Sequence, residues 1–551
     1  MTELTLPRPG VLRPAGGGPR LVVAGQVSRR AARSGALWGL VFALFIVVQT
    51  VTYTSEYDTQ AARDQMARVY GTNAGMNAIF GQADAINTID GWVTWRFVGI
   101  VGLLGSAWGV LTATRLLRGD EESGRYELLL AGQTTRRRAG GQAIAGLGVG
   151  LAAMFVLTAL GTIAVGRRST VDFGLGQCLY LSVTLVAGAA MFLAVGALAC
   201  QLMATRRSAA AMAGGVLGVA YALRMVADSN PSVHWLVWLS PLGWLEQVRP
   251  LTEPNPTALL PALVLLVGAA ALALHLVGVR DVGTAALPDR HSARPRLALL
   301  GGPTRFAARL QRPVALGWLP VITAFSVLLG AVAESSTEDA TGSKDVEQAI
   351  GRLGGHGSSA ALYLGLTFLV VALLVALVAA GQSTAIRAEE AEGHLDNLLV
   401  RPVRRASWLA GRLGLSCLLL VAAGLLAGVG AWVGTAGQDD TVRPGALVTA
   451  GLNVVPPGLL LLGLGTLAFG AWPRRTSMVV YAYLTWSVLV EFAGGTVHLS
   501  HWLLDTSVFF HMAPAPAGGP DWSSAAIITG LGVVGALLGG LLFSRRDLKD
   551  E

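Results

Sequence analysis

Two charged blocks interrupt an otherwise apolar chain. RLLRGDEESGRYELLLAGQTTRRR, residues 115–138, carries ten charges in twenty-four positions, and IRAEEAEGHLDNLLVRPVRR, residues 386–405, repeats its pattern. The order is acids, a glycine, another acid, leucines, then arginines. In the first copy Asp120, Glu121 and Glu122 precede Gly124 and Arg125, and Glu127 and Leu128–Leu130 follow; in the second, Glu389, Glu390, Gly393 and Asp396 occupy the corresponding places. Acids favour the N-terminus of a short helix and arginines its C-terminus, and the leucines give it an apolar face. Such a segment can ion-pair and dock, on a partner protein or along a membrane surface. A solvated loop obeying the positive-inside rule would explain the arginines but not the duplicated acids, because that rule concerns only Lys and Arg. Bond-making chemistry has no candidate: no nucleophile–base pair or metal-ligand cluster stands out. Cys178, Cys200 and Cys417 lie in apolar runs without a CxxC spacing, so neither a zinc site nor a disulfide framework is indicated.

Arg224 and Glu491 are the conspicuous ionisable residues inside apolar runs; residues so placed usually face the protein interior or a water-filled cavity and pair. PSVHWLVWLSPLGWLEQVRPL, residues 231–251, sets Trp235, Trp238, Pro241 and Trp244 among polar residues, and HLSHWLLDTSVFFHMAPAPAGGP, residues 498–520, sets His501, His511 and Pro514 in a comparable stretch. Tryptophan is common at membrane interfaces, and an aromatic belt accounts for these stretches in the simplest way.

The elements that must position these residues are membrane helices. Of 551 residues 53% are hydrophobic and 13% charged, about half the usual charged fraction. Many apolar runs exceed the roughly 18–20 residues that cross a bilayer as a helix. Twelve spans are predicted, near 35–54, 92–114, 143–165, 173–203, 209–227, 257–279, 315–333, 359–383, 412–434, 444–472, 477–495 and 523–543. The N-terminal tail carries arginines and no acid after Glu3, while loops 55–91 and 334–358 are acid-rich; both termini are therefore expected in the cytoplasm. The net charge of +8 comes from arginines flanking the spans, without the basic–aromatic interleaving of a nucleic-acid surface.

The chain reads as two halves. Aligning Gly124 with Gly393 gives 393 − 124 = 269, and the same offset pairs Arg118 with Arg387, Glu121 with Glu390, Glu127 with Asp396 and Ser208 with Ser477. Six spans per half give both halves the same orientation, a parallel repeat. The expected organisation is a cytoplasmic tail or surface helix at 1–34, a six-span half at 35–279, a cytoplasmic linker at 280–314, a second six-span half at 315–543 and a tail at 544–551. Arg224 and Glu491 then lie near the outer end of the fifth span of each half. Either they face each other across the two halves as an ion pair, or each reaches the outer interface. Phe42, Phe45, Tyr221, Tyr481, Tyr483 and Trp486 could line a cavity for an amphiphile or face lipid.

The first charged block resembles the loop after the second span in ABC exporter permeases of the type-two (ABCG/ABCA-like) superfamily. The fused two-repeat form most resembles actinobacterial permeases described as exporters of polyketide antibiotics, of the tetronasin-resistance and multidrug-efflux type, and the likeness covers essentially the whole chain. It implies that loops 115–142 and 384–411 form coupling helices seated on ATPase subunits through Glu121, Glu122, Gly124, Arg125 and Glu127 and through Glu389, Glu390, Gly393 and Asp396. Ala391 and His394 replace the first copy's Glu122 and Arg125, so the two sites are expected to be unequal. The resemblance also implies that the Trp-rich stretches, with Trp235, Pro241, Trp244, His511 and Pro514, are short re-entrant helices closing the outer mouth. No G-x-x-x-x-G-K-[ST] occurs, so the chain offers no phosphate-binding loop. The expectation is an all-α permease without catalytic residues, metal or cofactor of its own. ATP and Mg would sit on two copies of a cytoplasmic ABC ATPase, and the substrate would be a hydrophobic or amphiphilic antibiotic exported across a bacterial plasma membrane. A lipid exporter of the same fold and an ion-driven secondary transporter are the alternatives, the latter lacking carboxylates near the bilayer middle.

Overall fold

A computed structural model describes residues 22–71, 77, 80–130, 135–229, 231–280, 284–287, 298–331, 333, 359–436, 442–494 and 500–548. The chain divides into two compact units, Met1–His291 and Ser292–Glu551. Among the described residues every regular element is helical, and eleven helices are long and apolar enough to cross a membrane.

The first unit holds α1 (Val22–Glu56), α2 (Ile89–Ala113), α3 (Arg136–Gly166), α4 (Leu175–Leu202), α5 (Arg206–Ser229) and α6 (Leu259–Val279). The second holds α7 (Pro303–Ala331), α8 (Ser359–Ala391), α9 (Arg405–Thr435), α10 (Pro444–Ala471), α11 (Thr476–Gly494) and α12 (Trp522–Arg545). α11 lies where a span is expected at 477–495, and it is the one helix of the twelve not among those eleven. In the first unit α1 packs on α3, α2 on α4 and α4 on α6; in the second α7 packs on α9, α8 on α10 and α10 on α12. The same pairing scheme therefore recurs in each unit. The two cores are apolar, with Phe42, Phe97, Leu147 and Phe192 in one and Phe368, Leu420 and Leu461 in the other.

Small residues let these helices approach to backbone contact. A Cβ placed on Gly35 would lie 2.0 Å from the Gly150 carbonyl oxygen, and one on Gly463 the same distance from that of Gly532. Glycine is abundant here because packing in lipid must rely on fit, with no difference in apolarity between helix and solvent.

Two boundaries differ from the sequence reading. Residues 22–34 are the opening turns of α1 rather than a separate segment, because Val23, Val27 and Ala31 recur every four residues and are buried, forming one helical face. Likewise the end of the expected linker, residues 303–314, is helical. It opens α7, which starts at Pro303 and continues through Pro313, where Gln311 is held by Gln382 and Ser416 at 2.9 Å each. α10 is interrupted at Val454, between Pro444–Asn453 and Val455–Ala471. Pro456 and Pro457 supply no amide hydrogens to continue the first piece and suit the first turn of the second.

At the end opposite the charged blocks, residues 57–71 and 80–88 build a small cap in the first unit. Thr59 caps the helix Gln60–Tyr70, Asp64 accepts hydrogen bonds from Gln60 and Asn87 at 2.9 Å each, and Tyr53, Met66, Ile86 and Trp95 form a separate apolar cluster. The acid-rich segment 334–358, with Glu334, Glu338, Asp339, Asp345 and Glu347, lies outside the described residues.

Candidate functional site

Each charged block folds as a helix end, a left-handed turn and a short helix. α2 runs on through a π-helical turn, Thr114–Arg118, and one α turn, Gly119–Glu122; Gly124 then reverses the chain into the short helix Arg125–Leu130. In the second unit α8 ends at Ala391, Gly393 reverses the chain, and His394–Leu399 is the short helix. Gly124 has φ +71° and Gly393 φ +68°, a region that costs other residues about 1–2 kcal/mol. The glycines at the centre of the 269-residue offset thus have the same task. No neighbour crowds either position, so the constraint is conformational. Valine at Gly124 or Gly393 should cost about 1–2 kcal/mol, whereas asparagine, which tolerates this region, should cost less; equal losses of thermal stability for Val and Asn variants would contradict this.

The acids predicted to dock do not share one surface. Glu121 and Glu390 turn into their own units, 7% and 1% exposed. Glu121 meets Arg118 at 2.8 Å and Arg280 at 2.8 Å. Glu390 meets Arg387 at 3.4 Å and Arg546 at 2.5 and 2.7 Å. Arg280 and Arg546 are the C-caps of α6 and α12, where positive charge suits the helix dipole. Each arginine also reaches the fourth helix of its unit. Arg280 donates to Gln201 at 3.0 Å and Arg546 to the Phe469 carbonyl at 3.2 Å. The sequence reading missed Arg280 and Arg546, although each directly follows the last apolar span of its half.

The neighbouring acids mark a difference between the units. Asp120 pairs with Arg30 of α1 at 2.6 Å, but Glu389 pairs with Arg412 of α9 at 2.9 Å. Glu122 accepts the backbone N–H of Arg206, the first residue of α5, at 2.6 Å. Ala391 at the matching place has no group that could do so. Around the glycine turns Glu122, Ser123, Arg125 and Glu127 are exposed in the first block and Glu392, His394, Asn397 and Val400 in the second, while Gly124, Gly393 and Asp396 are half-buried. The side chains of Leu128–Leu130 lie outside those described. A small cleft of about 50 Å³ flanks the first block, lined by Val23, Val27, Leu116, Tyr126, Gln201 and Arg280 among others. Burial there pushes the Tyr126 hydroxyl up to about 12, aided by Glu121.

At the opposite end the Trp-rich stretches are short helical pieces, Pro231–Leu239 and Pro241–Glu246 in the first unit and His501–Leu504 in the second. Trp235 and Trp238 are exposed, as a belt requires, and the Trp244 ring N–H donates to the Trp238 carbonyl at 2.6 Å. Pro241 starts a helix capped by Ser240, whose hydroxyl donates to Ala220 at 2.6 Å. Ser507 repeats this, donating to Ser487 at 3.1 Å. The differences 507 − 240 and 487 − 220 are both 267, and so is 491 − 224; Arg224 and Glu491 therefore hold equivalent places. His511 contacts the Asp505 carbonyl at 3.0 Å, and the Pro514 carbonyl lies against Gly365.

Arg224 finds countercharge within its own unit, Glu246 at 2.9 Å and Asp228 at 3.6 Å, with His234 3.8 Å from Asp228. Glu491 accepts from the Ser507 hydroxyl at 3.3 Å. Burial pushes the Glu246 carboxyl well above its usual value, against the pull of Arg224. In Arg224→Gln, Glu246 loses its arginine and must take up a proton to stay buried. A carboxyl whose folded pKa is raised favours the fold below that pKa and disfavours it as pH rises through it. The variant should therefore unfold at a higher temperature at about pH 5.5 than at about pH 8; equal midpoints would contradict the cluster's role.

These features define a multi-pass, all-helical membrane protein built from two like units, each carrying one charged turn clasped to its last helix. The family model for the multidrug efflux system permease Rv1217c, C-terminal domain, matches residues 59–280 and 300–544, and the chain belongs to that family. It is 29% identical over 538 residues to the multidrug efflux system permease protein Rv1217c of Mycobacterium tuberculosis (strain ATCC 25618 / H37Rv), covering 95% of this chain and 94% of that protein. The chain is thus a permease of the drug-efflux class.

Proposed function

We propose that the chain is the membrane subunit of an ATP-driven exporter of hydrophobic or amphiphilic drugs in a bacterial plasma membrane. Two copies of a cytoplasmic ABC ATPase dock on the short helices Arg125–Leu130 and His394–Leu399. The observation that carries this reading is the duplicated charged turn, made twice with the same glycine geometry, in a sequence that has no phosphate-binding loop of its own. Val400, 88% exposed at the end of the second short helix, is where an introduced charge would meet a docked partner. Exposed Arg137, Arg138, Arg206 and Arg207 in one unit, and Arg401, Arg404, Arg474 and Arg475 in the other, support a cytoplasmic placement of this end. The drug class follows the relative's name and the apolar spans.

The test is capture of a candidate ABC ATPase encoded beside the chain. Purified permease should retain it, and Val400→Asp with His394→Asp should weaken retention at least about tenfold, the effect of losing about 1.4 kcal/mol at an interface. Transport by the permease alone under a proton gradient, with no ATPase retained, would reject the reading.

A further inference from the structure

We infer that Arg280 and Arg546 are positioning residues that make the sixth helix of each half move with the charged turn. The inference rests on the proposed coupling to an ATPase. Both arginines cap the sixth helix of their unit, and both meet the carboxylate that lies three residues before the left-handed glycine. In both units that carboxylate already has an arginine one turn earlier, Arg118 or Arg387. Neutralising the carboxylate therefore does not require the second arginine. A second buried cation adds desolvation cost, which a tie between two helices would justify.

The geometry of the tie suits transmission. Arg280 holds Glu121 and Gln201 together, and Arg546 holds Glu390 and the Phe469 carbonyl. The ends of the second, fourth and sixth helices thus meet at one guanidinium in each unit. The fourth and sixth helices also pack along their length, and between α10 and α12 the contact is backbone to backbone at Gly463–Gly532 and Gly470–Gly539. A displacement of the turn must carry both helices or break the fork. Burial keeps the fork from being screened by salt.

The test uses Arg280→Gln, Arg546→Gln and the double variant, each reconstituted with the ATPase. Glu121 keeps Arg118 and Glu390 keeps Arg387, so neither carboxylate is stranded. Expected is normal ATPase retention and continued hydrolysis, with drug moved per ATP reduced about fivefold or more in the double variant, the lower range of coupling between sites. Arg280→Lys and Arg546→Lys keep the charge without the fork; they should assemble normally and lose part of the ratio, and they are read if the Gln variants fail to assemble. A wild-type ratio in whichever double variant assembles overturns the inference, as does loss of ATPase retention in step with transport, which would make the arginines supports of the docking surface. If the wild-type permease retains no ATPase, the proposed function falls and this role falls with it; if it retains one and only the ratio is unmoved, the clasp alone is rejected.

Discussion

Glu390→Ala should destabilise the second half by about 3–5 kcal/mol, the usual consequence of removing one partner from a buried ion pair. Glu390 is 1% exposed and takes both guanidinium nitrogens of Arg546, at 2.5 and 2.7 Å. Arg387 stands 3.4 Å away on the same helix. Without the carboxylate, two arginines only 13% and 11% exposed face one another. The rings of Phe469 and Phe543, whose centroids lie 5.0 and 5.3 Å from the Arg546 guanidinium, hold that charge in place and leave it little room to swing into water. Two residues along, Glu392 is 63% exposed and touches His394; its alanine variant should stay within about 0.5 kcal/mol of the parent. Thermal unfolding in detergent separates the two. Equal midpoints for Glu390→Ala and Glu392→Ala would show that the clasp does not hold the second half together.

Gly463→Leu should be nearly as damaging for a different reason. A Cβ at Gly463 would sit 2.0 Å from the Gly532 carbonyl oxygen, which is backbone and cannot rotate aside. α10 and α12 would have to separate, losing the contact continued at Gly470 and Gly539. Overpacking of this kind costs about 1–3 kcal/mol and more where backbone must shift. Gly530, on α12 with nothing within 4 Å, provides the control. Its leucine variant should assemble like the parent, and equal yields of folded protein from Gly463→Leu and Gly530→Leu would refute the close crossing.

The spans, the halves and the paired glycines could be read from the sequence because each leaves a periodic or repeated mark. Apolar runs announce helices, and a constant offset joins Gly124 to Gly393. The division of labour within the charged blocks left no such mark. Glu121 and Glu122 are adjacent acids, yet one is buried between arginines and the other caps α5. Which way each points depends on the phase of the helix end, and the π turn at Thr114–Arg118 resets that phase. Arg280 and Arg546 were hidden differently. Arginine after a final span is what the positive-inside rule leads one to expect, so nothing local separates a clasp from a solvated charge. The partners of Arg224 were hidden because Asp228 is one turn along its own helix while Glu246 returns from a separate short helix. Opposite charges at equivalent places in two halves suggest a meeting across them, whereas Arg224 meets Glu246 and Asp228 of its own unit.

The most direct measurement is drug-stimulated ATP hydrolysis by the permease reconstituted with its ATPase in lipid vesicles, with drug movement followed at the same time. Parent permease should raise hydrolysis when drug is added and move drug only while ATP is present. The variant carrying Val400→Asp and His394→Asp should abolish the stimulation while remaining folded. Drug movement without ATP, or full stimulation in that variant, would contradict coupling through the charged turns.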